Sequence, residues 1–205
     1  MGLFDELGAS QSILSIDEYF NEMDLTEAEK EKRKEFAESM EETMLFIFTL
    51  FSVMKQYNRM NKKFIISQLR SRYSEIVLQY MDIDKYLEDY ISNFSEETVD
   101  VTLRHINEPF YLSDDRSLLI AESEANGVFN YQEFSEAVKA GKTRKRWITE
   151  RDNKVRETHA EVNGIAIPIN EPFVVGNSLM MFPKDTSLNA EMEQIANCRC
   201  TIKYF

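Results

Sequence analysis

Two cysteines near the end of the chain, Cys198 and Cys200, are separated by a single residue. In an extended segment, residues two apart share a face, so both sulfurs point the same way. Thiolates bind zinc tightly, which makes the pair the start of a metal site, with His159 as the third ligand. Asp152 is the nearest candidate for a fourth. The simpler reading of the same cysteines is two small buried thiols packed in a strand. A disulfide between positions two apart would be strained. Cys198 with His159 is also a formal nucleophile–base pair, but no oxyanion hole can be identified beside it.

A second constellation joins Trp147, Arg156, His159 and Arg199. Arg156 and His159 are three apart on an expected short helix, Asp152–His159, and so share a face. Such a set can bind phosphate or another anion. It can also be a buried network that holds a small module together through Asp152 or backbone carbonyls. His105, the other histidine, falls on an amphipathic stretch and reads as a surface or packing residue.

Residues 139–156 carry Lys139, Lys142, Arg144, Lys145, Arg146, Arg151, Lys154 and Arg156 against Glu150 and Asp152. Lys142, Arg144, Lys145, Arg146 and Arg151 are the expected DNA contacts, touching phosphates without reading sequence. No aromatic series accompanies them for base stacking. The alternative is a solvated face, or one that meets acidic helices of this chain or of a partner.

These groups need a scaffold, and the composition supplies one. The chain has 205 residues, 43% hydrophobic and 29% charged, with only 4 Pro and 6 Gly. That excludes a largely disordered or linker-dominated protein, and two cysteines exclude a disulfide scaffold. The net charge is −12, which disfavours a bulk nucleic-acid coat protein. Residues 1–138 hold 13 basic and 28 acidic side chains, and residues 139–205 hold 11 and 8, so two regions with different tasks are expected. The opening MGLFDELG lacks the basic and apolar regions of a secretory signal, and Glu6 stands where a myristoylation motif needs Ser or Thr. The most apolar stretch, Met44–Met54, is 11 residues long, and a membrane span needs roughly 20. No membrane association is expected.

Thr26 and Glu29 form a capping box that opens a helix running to about Tyr57. Phe36, Met40, Met44, Ile47, Phe51 and Met54 recur at three and four as one apolar stripe. Phe46, Phe48, Leu50 and Val53 lie off it, so this helix should be enclosed all round by its neighbours or by another subunit. A second helix is expected over Lys62–Met81, with Ile65, Leu69, Tyr73, Ile76, Val77 and Tyr80 on one side. Shorter helices follow at Ile83–Phe94, Glu96–Ile106 and Asp114–Ala125. Asn130 caps one more, through Ala140 to Gly141. Beyond it the pattern turns to short strands at Arg146–Thr149, Gly164–Ile169, Ser178–Phe182 and Arg199–Tyr204, with a helix at Ala190–Ala196 and a turn or hairpin at Asn163-Gly164. The fold class is α+β: a helical N-terminal region, 1–112, then a small α+β C-terminal module, 113–205, with short antiparallel strands.

Four segments in order, IAESEANGVFNYQEFSEAVKAGK, RKRWITERDNKVRETHAEVNG, INEPFVVGNSLMMFPKD and AEMEQIANCRC, resemble the phage Mu protein F-like minor head proteins, the phage head morphogenesis family. The resemblance covers roughly Arg116 to Cys200. Its motif positions here are Glu124, Gly141, Lys145, Trp147, Asp152, Val155, Arg156, His159, Gly164, Phe173, Pro183, Asn197, Cys198, Arg199 and Cys200. Ser123 stands where the family usually has Thr. No further domain is expected after the Asn-Cys-Arg-Cys motif.

The resemblance implies a structural minor capsid protein of a tailed phage or prophage, made in the host cytoplasm and assembled inside the head near the portal. Portal, major capsid or scaffold proteins are its implied partners, and some relatives leave the particle with the DNA. The residues themselves add a homo-oligomer through the N-terminal helices as a further expectation. No cofactor is required by this reading, and zinc is the one the cysteines suggest. Two alternatives stay open: a small zinc- or cysteine-dependent enzyme or nucleotide transferase, and a prophage-derived interaction module.

Overall fold

The computed structural model describes residues 14–150 and 154–205. The opening MGLFDELG, and Arg151 and Asp152 among the expected site residues, lie outside them. Among the described residues, seven α-helices and five short strands follow one another. They are α1 (Ile16–Asn21), α2 (Glu27–Gln56), α3 (Lys62–Val77), α4 (Lys85–Arg104), α5 (Asp114–Lys139), β1 (Arg144–Ile148), α6 (Glu157–Val162), β2 (Ala166–Pro168), β3 (Phe173–Val175), β4 (Ser178–Met180), α7 (Met192–Ile195) and β5 (Thr201–Tyr204). A 3-10 turn, Pro109–Leu112, precedes α5. The architecture is α+β, helical first and then mixed, as the sequence pattern implies. No helix among the described residues is long and apolar enough to cross a membrane.

The chain divides into two compact units. One holds Lys34–Glu122, and the other holds Asp17–Arg33 with Ser123–Phe205. The expected boundary at 112/113 coincides with the start of α5, whereas the units divide inside α2 and inside α5.

In the helical unit, the stripe along α2 forms the core, with Phe36, Met40, Met44, Ile47 and Phe51 all buried. Phe36 meets Tyr73 of α3 edge-on at 6.2 Å, and Tyr73 meets Phe94 of α4 at 5.2 Å. The capping box forms as expected at the head of α2: Thr26 N donates to Glu29 Oε2 at 2.7 Å, and Glu29 N donates to Thr26 Oγ1 at 3.3 Å. The enclosure expected around Met44–Met54 is only partial. Val53 is 46% exposed, and Leu50 and Phe46 are half-buried. The Arg72 guanidinium sits 3.8 Å over the Phe46 ring, so a cation and its apolar stem cover that face instead of a further helix.

Up to the end of α5, three helix assignments differ from expectation. α3 ends at Val77 rather than Met81. The helices expected at 83–94 and 96–106 are one, α4. Ser95 does not interrupt it, because its hydroxyl donates to the Ile91 carbonyl at 2.7 Å; Thr102 does the same to Thr98 at 2.7 Å. The helices expected at 114–125 and 130–140 are also one, α5. Asn130 is buried within it and uses its side chain for a distant carbonyl rather than as a cap. His105 packs as expected, with its ring stacked on Tyr111 at 4.3 Å.

The mixed unit holds a three-stranded antiparallel sheet, order β2-β1-β5, and a two-stranded hairpin, β3-β4. β3 was not expected from the sequence. Val175 pairs with Ser178 across Gly176-Asn177, so this dipeptide makes the tight hairpin. Gly176 has φ +57°, and a Cβ there would come within 3.1 Å of both Gln194 and Thr158. Asn163-Gly164 is instead the turn that leads from α6 towards β2. β1 alternates, with Arg144 and Arg146 outward and Lys145 and Trp147 inward.

Candidate metal centre

Cys198 and Cys200 sit in the irregular segment just before β5, not within the strand expected over 199–204. Asn197 has φ +49°, a left-handed conformation that asparagine tolerates better than most residues. It turns the chain after α7 so that both cysteines face inward. Cys198 is 1% exposed, Cys200 3% and His159 2%.

α6 carries His159 at its third position. The ring Nδ1 lies 3.3 Å from Cys200 Sγ and 3.6 Å from Cys198 Sγ. The three donor atoms all fall within 4.8 Å of one another. Trp147 stands edge-on to the imidazole at 5.8 Å and to Phe173 at 5.2 Å, which closes the centre on the sheet side. Burial pushes the Cys198 thiol up, but hydrogen bonds from Cys200 and His159 outweigh it and hold the thiol well below its usual value. Cys200 moves the other way, held well above its usual value by its hydrogen bond with Cys198 and by burial.

The surroundings of the centre come largely from residues that the sequence pattern does not assign to it. Asn126 of α5 donates through Nδ2 to the Cys198 carbonyl at 2.9 Å and to that of Cys200 at 3.3 Å. Asn130 donates to the Cys200 carbonyl at 3.1 Å. Irregular backbone must have its carbonyls satisfied when buried, and α5 supplies those donors. Two asparagines four apart on a helix face are the signal that was available. Lys184 is fully buried and donates to Ser123 Oγ. Burial lowers its pKa, partly opposed by Glu124 and by Cys198. Asp185 caps its own loop, accepting from Met181 N at 2.9 Å and from Ser187 N at 2.8 Å.

Arg156 is placed differently from the helical face it was expected to share with His159. Arg156 is the N-cap residue of α6, not a member of it, and donates to the Ala196 carbonyl. Arg199 points away from the two cysteines and pairs with Glu22 at 3.0 Å. With Trp147 and His159 buried, these four residues tie segments of the unit together. The Cys198–His159 pair is likewise closed to a substrate by its burial.

The basic run separates into two groups. Lys142, Arg144 and Arg146 are exposed. Lys145 is not: it is fully buried, with Nζ donating to the Met181 carbonyl at 2.6 Å and lying 5.1 and 5.2 Å from the Phe134 and Phe173 ring centroids. A phosphate contact from Lys145 is therefore ruled out, because β1 alternation turns it inward. Lys154 and Lys203 are exposed but lie against Glu22 at 3.7 Å and Asp24 at 3.0 Å. A cleft of about 590 Å³ beside them mixes Arg146 and Lys203 with Asp24 and Glu150, so it favours no single ligand charge.

Fold and centre together define a helical protein that ends in a small α+β module, built around a closed cysteine–histidine cluster. The model of the phage Mu protein F-like family matches residues 71–203, about two thirds of the chain. The chain belongs to that family, which points to phage head morphogenesis. No curated protein and no solved structure matches it.

Proposed function

We propose that the chain is a structural minor capsid protein of a tailed phage or prophage, assembled inside the head near the portal. The observation that carries this reading is the family match, which runs from within α3 into β5 and takes in the whole cysteine–histidine centre. The burial of that centre supports a structural role over an enzymatic one, since a nucleophile and base must reach a substrate.

Contacts to the portal, scaffold or major capsid protein, or to a second copy of this chain, would come from the α2–α3 corner. Val53, Tyr57, Met60 and Phe64 are all exposed there, within twelve positions of one another. An exposed apolar cluster of this kind suits an interface better than open solvent. A secondary DNA contact through Lys142, Arg144 and Arg146 fits a protein held among packaged DNA, and would let it travel with the DNA on ejection. The corner is tested by Tyr57→Asp with Phe64→Asp, both surface changes that leave the core intact. The expected result is a folded protein that no longer binds the head protein the wild type binds. Unchanged binding by the double variant would remove the corner from the account.

A further inference from the structure

We propose that Cys198, Cys200 and His159 together bind one zinc ion, whose role is to hold α6 against the Asn197–Cys200 turn.

The argument starts from convergence. Both sulfurs approach the same nitrogen, His159 Nδ1, at 3.3 and 3.6 Å. One imidazole nitrogen carries either one proton or one lone pair, so a hydrogen bond can satisfy only one of the two sulfurs well. Three donors aimed at one point are instead the arrangement a cation requires. With Zn–S near 2.3 Å and Zn–N near 2.0–2.1 Å, a tetrahedral shell sets sulfur and nitrogen about 3.6 Å apart, close to the spacings observed. Two thiolates and a neutral imidazole are a ligand set that selects zinc over magnesium or calcium. Two cysteines and a histidine supply three of the four ligands of a tetrahedral zinc shell and leave the fourth position to water.

Burial decides the role. All three donors are almost fully enclosed, so the ion has no route to a substrate and acts as a crosslink. The unit has reason to need one. Its strands are three to five residues long, and α6 is six residues. Small modules with so little regular structure depend on staples. His159 Nε2 also has no hydrogen-bond partner among the described residues. Among the described residues, the hydrogen-bond contacts of the ring are those of Nδ1 with the two sulfurs.

The test uses the full chain, purified under reducing conditions without added metal and analysed for elements. About one zinc per chain is expected. A strong chelator should lower the melting temperature of the wild type, and zinc should restore it. Cobalt added to the metal-free protein should give the near-ultraviolet absorption of thiolate-to-metal charge transfer, and His159→Gln should weaken zinc retention at least tenfold. If Cys198→Ser or Cys200→Ser fails to fold, the wild-type metal content and the cobalt spectrum still decide. Less than about a tenth of a zinc per chain, with no cobalt band on titration, would overturn the proposal. The centre would then be two packed thiols sharing a hydrogen bond with His159.

Discussion

Lys145 is a charged side chain in an environment at odds with its chemistry. Burial pulls its pKa down to about 8, partly opposed by the facing charge of Asp185. Below about pH 8 the folded and unfolded chains both hold the proton, and the full cost of the buried charge is present. Between pH 8 and the ordinary lysine value the unfolded chain binds more protons, so stability must rise with pH. The expected gain is on the order of 2 kcal/mol by pH 10. It is read as the difference between the wild type and Lys145→Met in urea unfolding at pH 7 and pH 10; equal pH dependence in the two proteins would contradict it. Asn130 gives a second test at this scale. Removing its amide leaves the buried Cys200 carbonyl with only the longer bond from Asn126. Asn130→Ala should cost about 1–2 kcal/mol, and the double change with Asn126→Ala should cost more. An Asn130→Ala protein with an unshifted unfolding midpoint would show that α5 does not hold the cysteine turn.

Among the elements, α2 is where burial and sequence agree most closely. Phe36 is completely buried against Tyr73, so Phe36→Ala should cost about 3–4 kcal/mol, a cavity cost. Val53→Ser, on the exposed side of the same helix, should stay within about 0.5 kcal/mol. Thermal unfolding of both variants checks the pair, and equal losses would mean that the helix is enclosed on both sides. The stripe and the capping box were legible because each is written in local spacing. The break expected between Phe94 and Glu96, at Ser95, and the cap expected at Asn130 fail for the opposite reason. Their types signal breaks and caps, while their actual partners are a carbonyl one turn back and the Cys200 carbonyl, 70 positions along the chain. β3 escaped notice because Phe173–Val175 is only three residues and follows Pro172, yet Gly176-Asn177 announces its hairpin. Lys145 was read as surface because charge dominates its type, although strand alternation turns it to the same side as Trp147. Cys198, Cys200 and His159 were legible as a set because few residue types share their chemistry. Their convergence on one nitrogen depends on the left-handed turn at Asn197, which spacing alone does not reveal.

For the whole molecule, charge and assembly are the properties that matter. The net charge is −12, and Glu22 and Asp24 already lie against Arg199, Lys154 and Lys203. Any DNA contact must therefore be modest, independent of sequence and sensitive to salt. A salt titration of the full chain on two unrelated duplexes should show equal, weak binding. Arg144→Glu with Arg146→Glu should abolish it, and Glu22→Gln with Asp24→Asn should strengthen it by releasing three cations. Binding unaffected by the arginine reversals would assign the contact to another surface. The central claim is that this chain is built into a phage head. The measurement that tests it most directly is co-assembly: the full chain expressed with the portal, scaffold and major capsid proteins of the genome that encodes it, and the procapsids purified and analysed for protein content. The account predicts the chain inside portal-containing procapsids, protected from added protease, and depleted from particles assembled without the portal. Procapsids that form with the portal yet contain none of the chain would contradict it.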